Sequence, residues 1–421
     1  MSRLLIRMLL CLVFCMSAGS IRLMADDNSP RTVIDGVVID NESKKAMEGV
    51  SITIPGTNIG TVTNAEGVFS LKLPPTGKYS KIRAEHIGYT ASVTSLRGSD
   101  TRLTIMMSPS SKMLREFVVR TGKPDEIVAE ALERIPENYP EDRNLFTAFY
   151  RETIRKGKRY IGVAEAVVDV MKMPYTRRVI YGDRVRIQKG RNIISQDMRD
   201  TLSVKIMGGP TMPVILDFVK NTEFVFGIDD LGDYDFEMER PVSLDDRLQY
   251  TIRFEPRVRR EYAMFKGTLY IDQESLAFTK ADISLDVSDR ELATNVILRK
   301  KPRGLHFRPQ EINYSIVYKL IDGKAYINYI ATRLRFKCDW RRRLFSSGYT
   351  TEAEMVMVDR LDNVSEGISH KMSFGKTDIF ADEVDNYWDP DFWADYNIIE
   401  PTETLDKAVD RLRKANAELK K

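Results

Sequence analysis

Cysteine and histidine are scarce, three of each in 421 residues. Cys11 and Cys15 lie in the first 25 residues, so the rest of the chain keeps only Cys338 and can form no internal disulfide. His86, His306 and His370 are scattered, and none sits in an H-E-x-x-H arrangement. A zinc site needs three or four converging ligands; carboxylates would have to supply most of them, and no metal is expected. A surplus of one charge is missing too, with 64 Lys and Arg against 61 Asp and Glu. Without Arg3, Arg7 and Arg22 of the leader the balance is 61 to 61, which gives no pull toward nucleic acid or anionic lipid. Phosphate-binding loops, dinucleotide fingerprints and nucleophile elbows are absent as well. No catalytic residue, metal ligand or cofactor is therefore assigned, and ligand-binding residues stay unassigned. What remains is globular composition, 43% hydrophobic and 30% charged, in a length that suits two or three domains.

Long apolar runs are confined to the leader. Residues 1–25 read MSRLLIRMLLCLVFCMSAGSIRLMA, with Arg3 and Arg7 flanking an apolar core from Met8 to Met16 and small residues at Ala18, Ser20 and Ala25. Basic flank, short apolar core and small-residue exit describe a secretory signal peptide. The core is too short to cross ~30 Å of hydrocarbon at roughly 1.5 Å per residue. Leu12-Val13-Phe14-Cys15 resembles a lipid-attachment box, but Phe14 stands where Gly, Ala or Ser belongs, so cleavage without lipidation is the expectation. The protein is expected to be exported, as a periplasmic or outer-membrane-associated protein.

Residues 32–107 carry short β-branched runs separated by turn residues: Val33–Asp40, Val50–Ile54, Gly60–Thr63, Gly67–Leu73, Lys81–His86, Ala91–Thr94 and Arg102–Met107. Seven close-spaced strands without an intervening helical period predict a β-sandwich. Pro55-Gly56 suits a type II turn, and Asn64-Ala65-Glu66-Gly67 a type I turn with an Asx acceptor at its first position. Gly36-Val37-Val38-Ile39-Asp40, Gly49-Val50-Ser51-Ile52, Gly56-Thr57-Asn58-Ile59-Gly60-Thr61, Thr63 to Leu71 and His86-Ile87-Gly88-Tyr89 together resemble the carboxypeptidase regulatory-like domain. Ala46-Met47-Glu48-Gly49 departs from it, since members usually carry Pro and Leu before that Gly. The resemblance implies a non-catalytic, prealbumin-like accessory module with no peptidase activity, often placed before the plug and barrel of an outer-membrane transporter. The roughly 310 residues that follow are too few for a plug and a 22-stranded barrel. His86 is read as a packed or rim side chain, because histidine needs partners to do chemistry.

Residues 108–123 read as a linker with one strand-like run, Phe117-Val118-Val119, and residues 124–400 as a large domain. Asp125 opens a helix in which Ile127, Ala131, Leu132 and Ile135 recur at helical spacing. Phe146 to Glu152 begins a succession of strands: Lys158–Met171, Arg178–Ile187, Leu248–Arg253, Met264–Asp272, Ala277–Val287, Glu311–Leu320, Lys324–Lys337 and Thr350–Asp359. Alternation within them predicts an antiparallel sheet with one buried and one wetter face. Asp272 to Ser275 and Ile321-Asp322-Gly323-Lys324 read as hairpin turns. Basic runs at Arg257–Arg260 and Arg341–Arg343 suit loops better than a lipid belt, so a soluble sheet is preferred to a membrane barrel. Residues 401–421 form an amphipathic helix with Leu405, Ala408, Val409, Leu412 and Leu419 on one stripe, expected to pack on the sheet. Before it, the aromatic and acidic stretch Asp385 to Asn397 is read as an anchor pinned onto the sheet rather than a sugar or calcium site.

Lys266 to Asp272 followed by Ala277 to Asp282 resembles the lipoprotein-carrier fold, an open half-barrel with a helix across its mouth. That likeness implies a cavity for acyl chains between sheet and helix. The chain as a whole resembles a group of uncharacterised, regulatory-like-domain-containing envelope proteins of Gram-negative bacteria, through Asn138-Tyr139-Pro140, Phe149-Tyr150-Arg151-Glu152 and Phe392 to Pro401. The fold class is thus mainly β: a seven-stranded sandwich followed by a large antiparallel sheet, drawn as a half-barrel, with flanking helices. Glu152 and Glu165 lie near Arg151 and Lys158, where ion pairing explains them, and Asp245-Asp246 is one acidic pair among many.

Three functions follow. The leading one is a non-enzymatic envelope protein whose sheet domain binds a protein partner or apolar ligand, with peripheral membrane association allowed and nucleic acid excluded. The second is a lipid carrier or sensor, which requires an apolar cavity under the helix starting at Asp125. The third is a glycan hydrolase, which requires two carboxylates facing each other in a cleft.

Overall fold

The computed structural model describes residues 32–419 except 76, 98–101, 111–121, 177–181, 198–204, 207–208, 227, 301–302, 341–345, 376–377 and 389–395. The leader, the Phe117–Val119 run and Arg341–Arg343 lie outside the described residues.

Seven strands build the front module: β1 (Thr32–Asp40), β2 (Ser51–Thr53), β3 (Gly60–Val62), β4 (Val68–Leu73), β5 (Lys81–Glu85), β6 (Ser92–Ser95) and β7 (Arg102–Met107). They form two sheets, β4-β1-β7 and β3-β2-β5-β6. Only β1 and β7 run parallel. Period-two alternation sends Ile34 and Val38 of β1, Phe69 and Leu71 of β4 and Ile82 and Ala84 of β5 into one apolar core. The Asn64 side chain ties its turn as expected, its Oδ1 accepting from the N–H groups of Glu66 and Val68 at 2.9 and 3.0 Å.

The large domain begins with α1 (Pro124–Glu133) and α2 (Ile135–Asn138) and continues with β8 (Asn144–Lys156), β9 (Arg159–Lys172) and β10 (Arg184–Ile194). A short β11 (Lys205–Ile206) and α3 (Thr211–Ile215) precede β12 (Tyr234–Met238), β13 (Val242–Leu244), β14 (Arg247–Pro256), β15 (Phe265–Asp272) and β16 (Phe278–Leu285). Then come α4 (Arg290–Ile297), β17 (Leu298–Lys300), β18 (Leu305–Ile321), β19 (Lys324–Trp340), β20 (Ser347–Leu361), α5 (Phe380–Glu383) and α6 (Glu403–Leu419). Eleven strands join in one antiparallel sheet of order β10-β9-β8-β20-β19-β18-β16-β15-β14-β12, with β13 on β14. The sheet is not closed into a barrel. β11 and β17 make a separate two-stranded ribbon. Asp322 and Gly323, both at positive φ, turn β18 into β19 as the sequence predicts.

Every second residue of β8 and β9 faces the helices. Phe146, Ala148 and Tyr150 of β8 and Ala164, Ala166, Val168 and Val170 of β9 share a core with Ile127, Val128, Ala131 and Leu132 of α1. The alternate residues face the other way. Phe149, Tyr329, Val356 and Val358 pack with Val62 of the module and Ile398 and Ile399, while Val163 and Ile193 pack with Leu405, Val409 and Leu412 of α6. The domain is therefore layered, with helices on one face of the sheet and the front module and α6 on the other.

Residues 397–401 are wedged between module and sheet. Asn397 bridges the backbone of Lys72 on β4, Thr61 donates to the Ile398 carbonyl at 2.8 Å, and Asn64 Nδ2 donates to the Glu400 carbonyl at 3.1 Å. Three further contacts fix the module directly to the sheet domain: Asn58 to the Arg360 carbonyl, the Gly88 N–H to the Ser243 carbonyl, and Lys319 to the Thr53 hydroxyl.

Candidate functional site

A cavity of about 300 Å³ lies on the helix-covered face of the sheet. Its floor is two rows of side chains crossing four strands. Ile312, Leu334, Thr351 and Ile154 make one row in register, and Tyr314, Thr332, Ala353 and Glu152 the next. The neighbouring row, Ile316, Ile330, Met355 and Tyr150, is uniformly large and closes that end. Thr351, Thr332 and Ala353 are small, and their shortness is what leaves the space open. Met212, Pro213 and Leu216 at α3 and Val296 and Ile297 of α4 cover the floor. Asp289 fixes α4 by accepting from the N–H groups of Glu291 and Leu292 at 3.0 and 3.1 Å.

This position corrects the expectation that a cavity would open beneath the helix starting at Asp125. Ile127, Val128, Ala131 and Leu132 of α1 fill their side of the core, and no α1 residue lines the cavity.

Glu152 is the polar end of this apolar space. The expectation that it pairs with a neighbouring cation is also corrected, since Glu152 follows Tyr150 onto the apolar face while Arg151 points away. Its Oε2 accepts from the Tyr150 hydroxyl at 2.9 Å and from the Gly209 N–H at 3.2 Å. Burial, only partly offset by those two hydrogen bonds, pushes its carboxyl above the ordinary range. The Gly209 N–H reaches Glu152 because Gly209 takes φ +86°, and a Cβ there would come within 2.7 Å of the Phe374 ring. Phe374 and Phe380 stack edge-on at 6.2 Å, and Phe380 in turn abuts Tyr150. Strand parity was the signal for this residue: Phe146, Ala148, Tyr150 and Glu152 share one face.

A fully buried polar group stiffens the same core. Asp217 accepts from Lys172 Nζ at 2.7 Å and from the hydroxyls of Tyr175 and Tyr318 at 2.6 Å each, and Lys172 also binds Asp183. Burial alone would raise the Asp217 carboxyl, but the Lys172 charge and these donors hold it below its usual value. Both side chains are buried, and their contacts tie β9, β18 and the segment after α3 together.

Residues 34–119 match the model of the CarboxypepD_reg-like domain. The front module is a domain of this family. The match stops at residue 119 and leaves the sheet domain outside it. No curated protein matches the chain. Among solved structures it is similar to a DUF1329-family protein from Desulfovibrio piger, at 11% identity and a TM-score of 0.26 over 59% of this chain and 99% of that one. It is also similar to a LolA-superfamily protein from Nitrosomonas europaea, at 11% identity and a TM-score of 0.20 over 60% of this chain and 99% of that one.

Between the regulatory-like domain and the sheet lies a polar cleft of about 940 Å³. Arg155, Arg333, Glu352 and Glu354 line its floor, and Glu48, Glu66 and Glu400 its roof. Burial, then the charges of Glu354 and Glu352, push the Glu48 carboxyl up. Beside the cleft, Glu165 pairs with Arg151 at 2.6 Å, as expected, and also with Arg191 at 2.5 Å, and Arg151 donates to the Ile399 carbonyl. A smaller space of about 270 Å³ under the regulatory-like domain is lined by His86, Glu85, Asp245 and Lys319. His86 packs its ring edge-on against Tyr89 at 5.4 Å, a packed residue as read from sequence. Asp245 and Asp246 form the β13–β14 turn at positive φ, and Asp245 pairs with Arg83 across the domain boundary. Cys338 is buried and free.

Of the stretch Asp385 to Asn397, read as an aromatic anchor, the described end is held in place: the Tyr396 hydroxyl donates to Gln188 of β10, and Asn397 is buried against Lys72. Tyr387 and Trp388 are exposed, and Val384 and Phe380 are the buried contacts. Residues 389–395 of that stretch lie outside the described residues. Among the described residues no three His, Cys, Asp or Glu converge to hold a metal ion, and no helix is long and apolar enough to cross a membrane.

Proposed function

We propose that this is an exported, non-enzymatic binding protein whose sheet domain holds one apolar chain in the cavity beneath α3 and α4. The observation that carries the reading is the floor of that cavity, where small residues interrupt rows of large ones and leave about 300 Å³ lined mainly by apolar side chains. That volume sits at the lower end of small-molecule sites, about 300–1,000 Å³, and suits a slim, single-chain ligand. Burying such a chain yields about 25 cal/mol per Å² of apolar surface. The regulatory-like domain and residues 397–401 brace the sheet from its opposite face and leave the helix-covered face to the ligand. The test is native mass spectrometry on the full chain purified from a Gram-negative periplasm, followed by organic extraction. A one-to-one amphiphile that disappears in Ala353→Leu supports the reading. A clean apo mass, together with no uptake of dodecanol by the purified chain, overturns it.

A second reading takes the polar cleft as a glycan-hydrolysing site. It rests on Glu48, Glu352 and Glu354 lining one cleft, which brings together the carboxylates that an acid and a base would require. Turnover of a chromogenic glycoside that is lost in Glu48→Gln supports this alternative.

A further inference from the structure

We infer that Glu152 reads the polar end of the ligand, and that this end is a hydrogen-bond donor, an ammonium before a hydroxyl, rather than an anion. The inference rests on the cavity being the ligand site. A carboxylate offers about four acceptor positions, and the Tyr150 and Gly209 donors both use Oε2. Oε1 has no hydrogen-bond partner among the described residues, and Glu152 lines the cavity.

Among the described residues no cation from the surrounding elements balances this carboxyl. β18 contributes Tyr314, and β19 contributes Thr332 and Arg333. Arg333 alternates onto the opposite face, where its Nε lies 3.4 Å from Glu352 of β20. α5 brings Asp382, a second acid, to the rim, and α3 and α4 present only apolar side chains. An anionic head would set like charge beside an already uncompensated carboxyl, at a cost in low dielectric. An ammonium would supply the missing counter-charge, and a hydroxyl would donate to Oε1 without it. The upward push on Glu152 from burial agrees with this account, because it is the signature of a carboxyl awaiting a partner.

The experiment uses three twelve-carbon probes, dodecylammonium, dodecanol and dodecanoate, titrated calorimetrically below their micelle concentrations into the full chain at neutral pH. Dodecylammonium should bind about tenfold or more tighter than dodecanoate, as a charge-assisted hydrogen bond requires. In Glu152→Gln that preference should collapse to within about threefold. Should Glu152→Gln fold poorly, lowering the pH of the wild-type chain, while keeping it above about 4, protonates Glu152 and should weaken dodecylammonium relative to dodecanol, neither of which titrates there. Dodecanoate binding as tightly as dodecylammonium, or a preference unchanged in Glu152→Gln, overturns the inference while leaving the cavity reading standing. Failure of all three probes overturns the cavity reading itself.

Discussion

Lys172 Nζ lies 2.7 Å from Asp217 Oδ2, and both side chains are sealed from solvent. Removing one partner of such a pair strands the other charge in the interior. Lys172→Met should therefore cost about 3–5 kcal/mol, read as a lower urea midpoint at unchanged slope.

Acid should unfold the protein through the same carboxylate and through Glu165. Both are held below their ordinary values in the fold, Asp217 by Lys172 and its hydroxyl donors, Glu165 by Arg151 and Arg191, in each case against burial. A depressed carboxylate contributes its full stability above its unfolded value, about pH 4, and loses it as pH falls through the folded value. Urea midpoints should fall steeply below about pH 4, and in Asp217→Asn that slope should be shallower.

Glu152 has the opposite sign. Its carboxyl is raised in the fold, so ionisation at neutral pH costs stability that is regained as the pH falls toward its unfolded value, about 4.5. Glu152→Gln, in the absence of ligand, should be more stable than wild type at pH 8 by about 1 kcal/mol, with the difference vanishing near pH 4. Equal midpoints at pH 8 would contradict the placement of this carboxyl.

Gly209→Ala should destabilise by about 2 kcal/mol or more, because it forces a left-handed backbone on a residue with a Cβ and drives that Cβ into Phe374. Thermal melts check the loss, and Glu152→Gln in the same chain should not add to it fully, since both changes act on one hydrogen bond.

Arg151 links three pieces: β8 carries it, Glu165 on β9 pairs with it, and the Ile399 carbonyl accepts from it at 2.8 Å. Arg151→Met should cost about 3 kcal/mol and leave Glu165 with Arg191 alone. Limited proteolysis should then cut within 397–401 before any cut in the sheet.

The module was readable because its strands are short, alternate cleanly and are bounded by residues with turn chemistry. Asn64, Gly56 and Gly67 do what their types require, and β7 ends where the sequence ends it. In the sheet domain β15, β16 and β19 lie within a few residues of expectation for the same reason. β10 does not: the sequence places a strand at Arg178–Ile187, but pairing with β9 carries it to Ile194 past a bulge after Ile187. The partner strand β9 supplies the hydrogen bonds that hold Lys189 to Ile194 extended beyond it. α3 was hidden because Pro213 lies within only five helical residues, and α4 because its eight residues are too few for periodicity, although Asp289 and Glu291 mark its start. A cavity was expected, but its place could not be read. It arises from which residues lie abreast on β18, β19, β20 and β8, and that register is set by pairing across nearly two hundred residues of sequence.

The pairing of β8 with β20 also sets an order of events. Strand β8 is among the first of its domain to leave the ribosome, and its partner among the last. Until β20 arrives, one side of a thirteen-residue strand offers unpaired N–H and C=O groups to any passing chain. Residues 397–401, which seat the regulatory-like domain, come later still. A newly made chain therefore spends its most vulnerable interval with a sticky seam in the middle of its future sheet. It would profit from a chaperone that shields β8 until the final strand closes the seam.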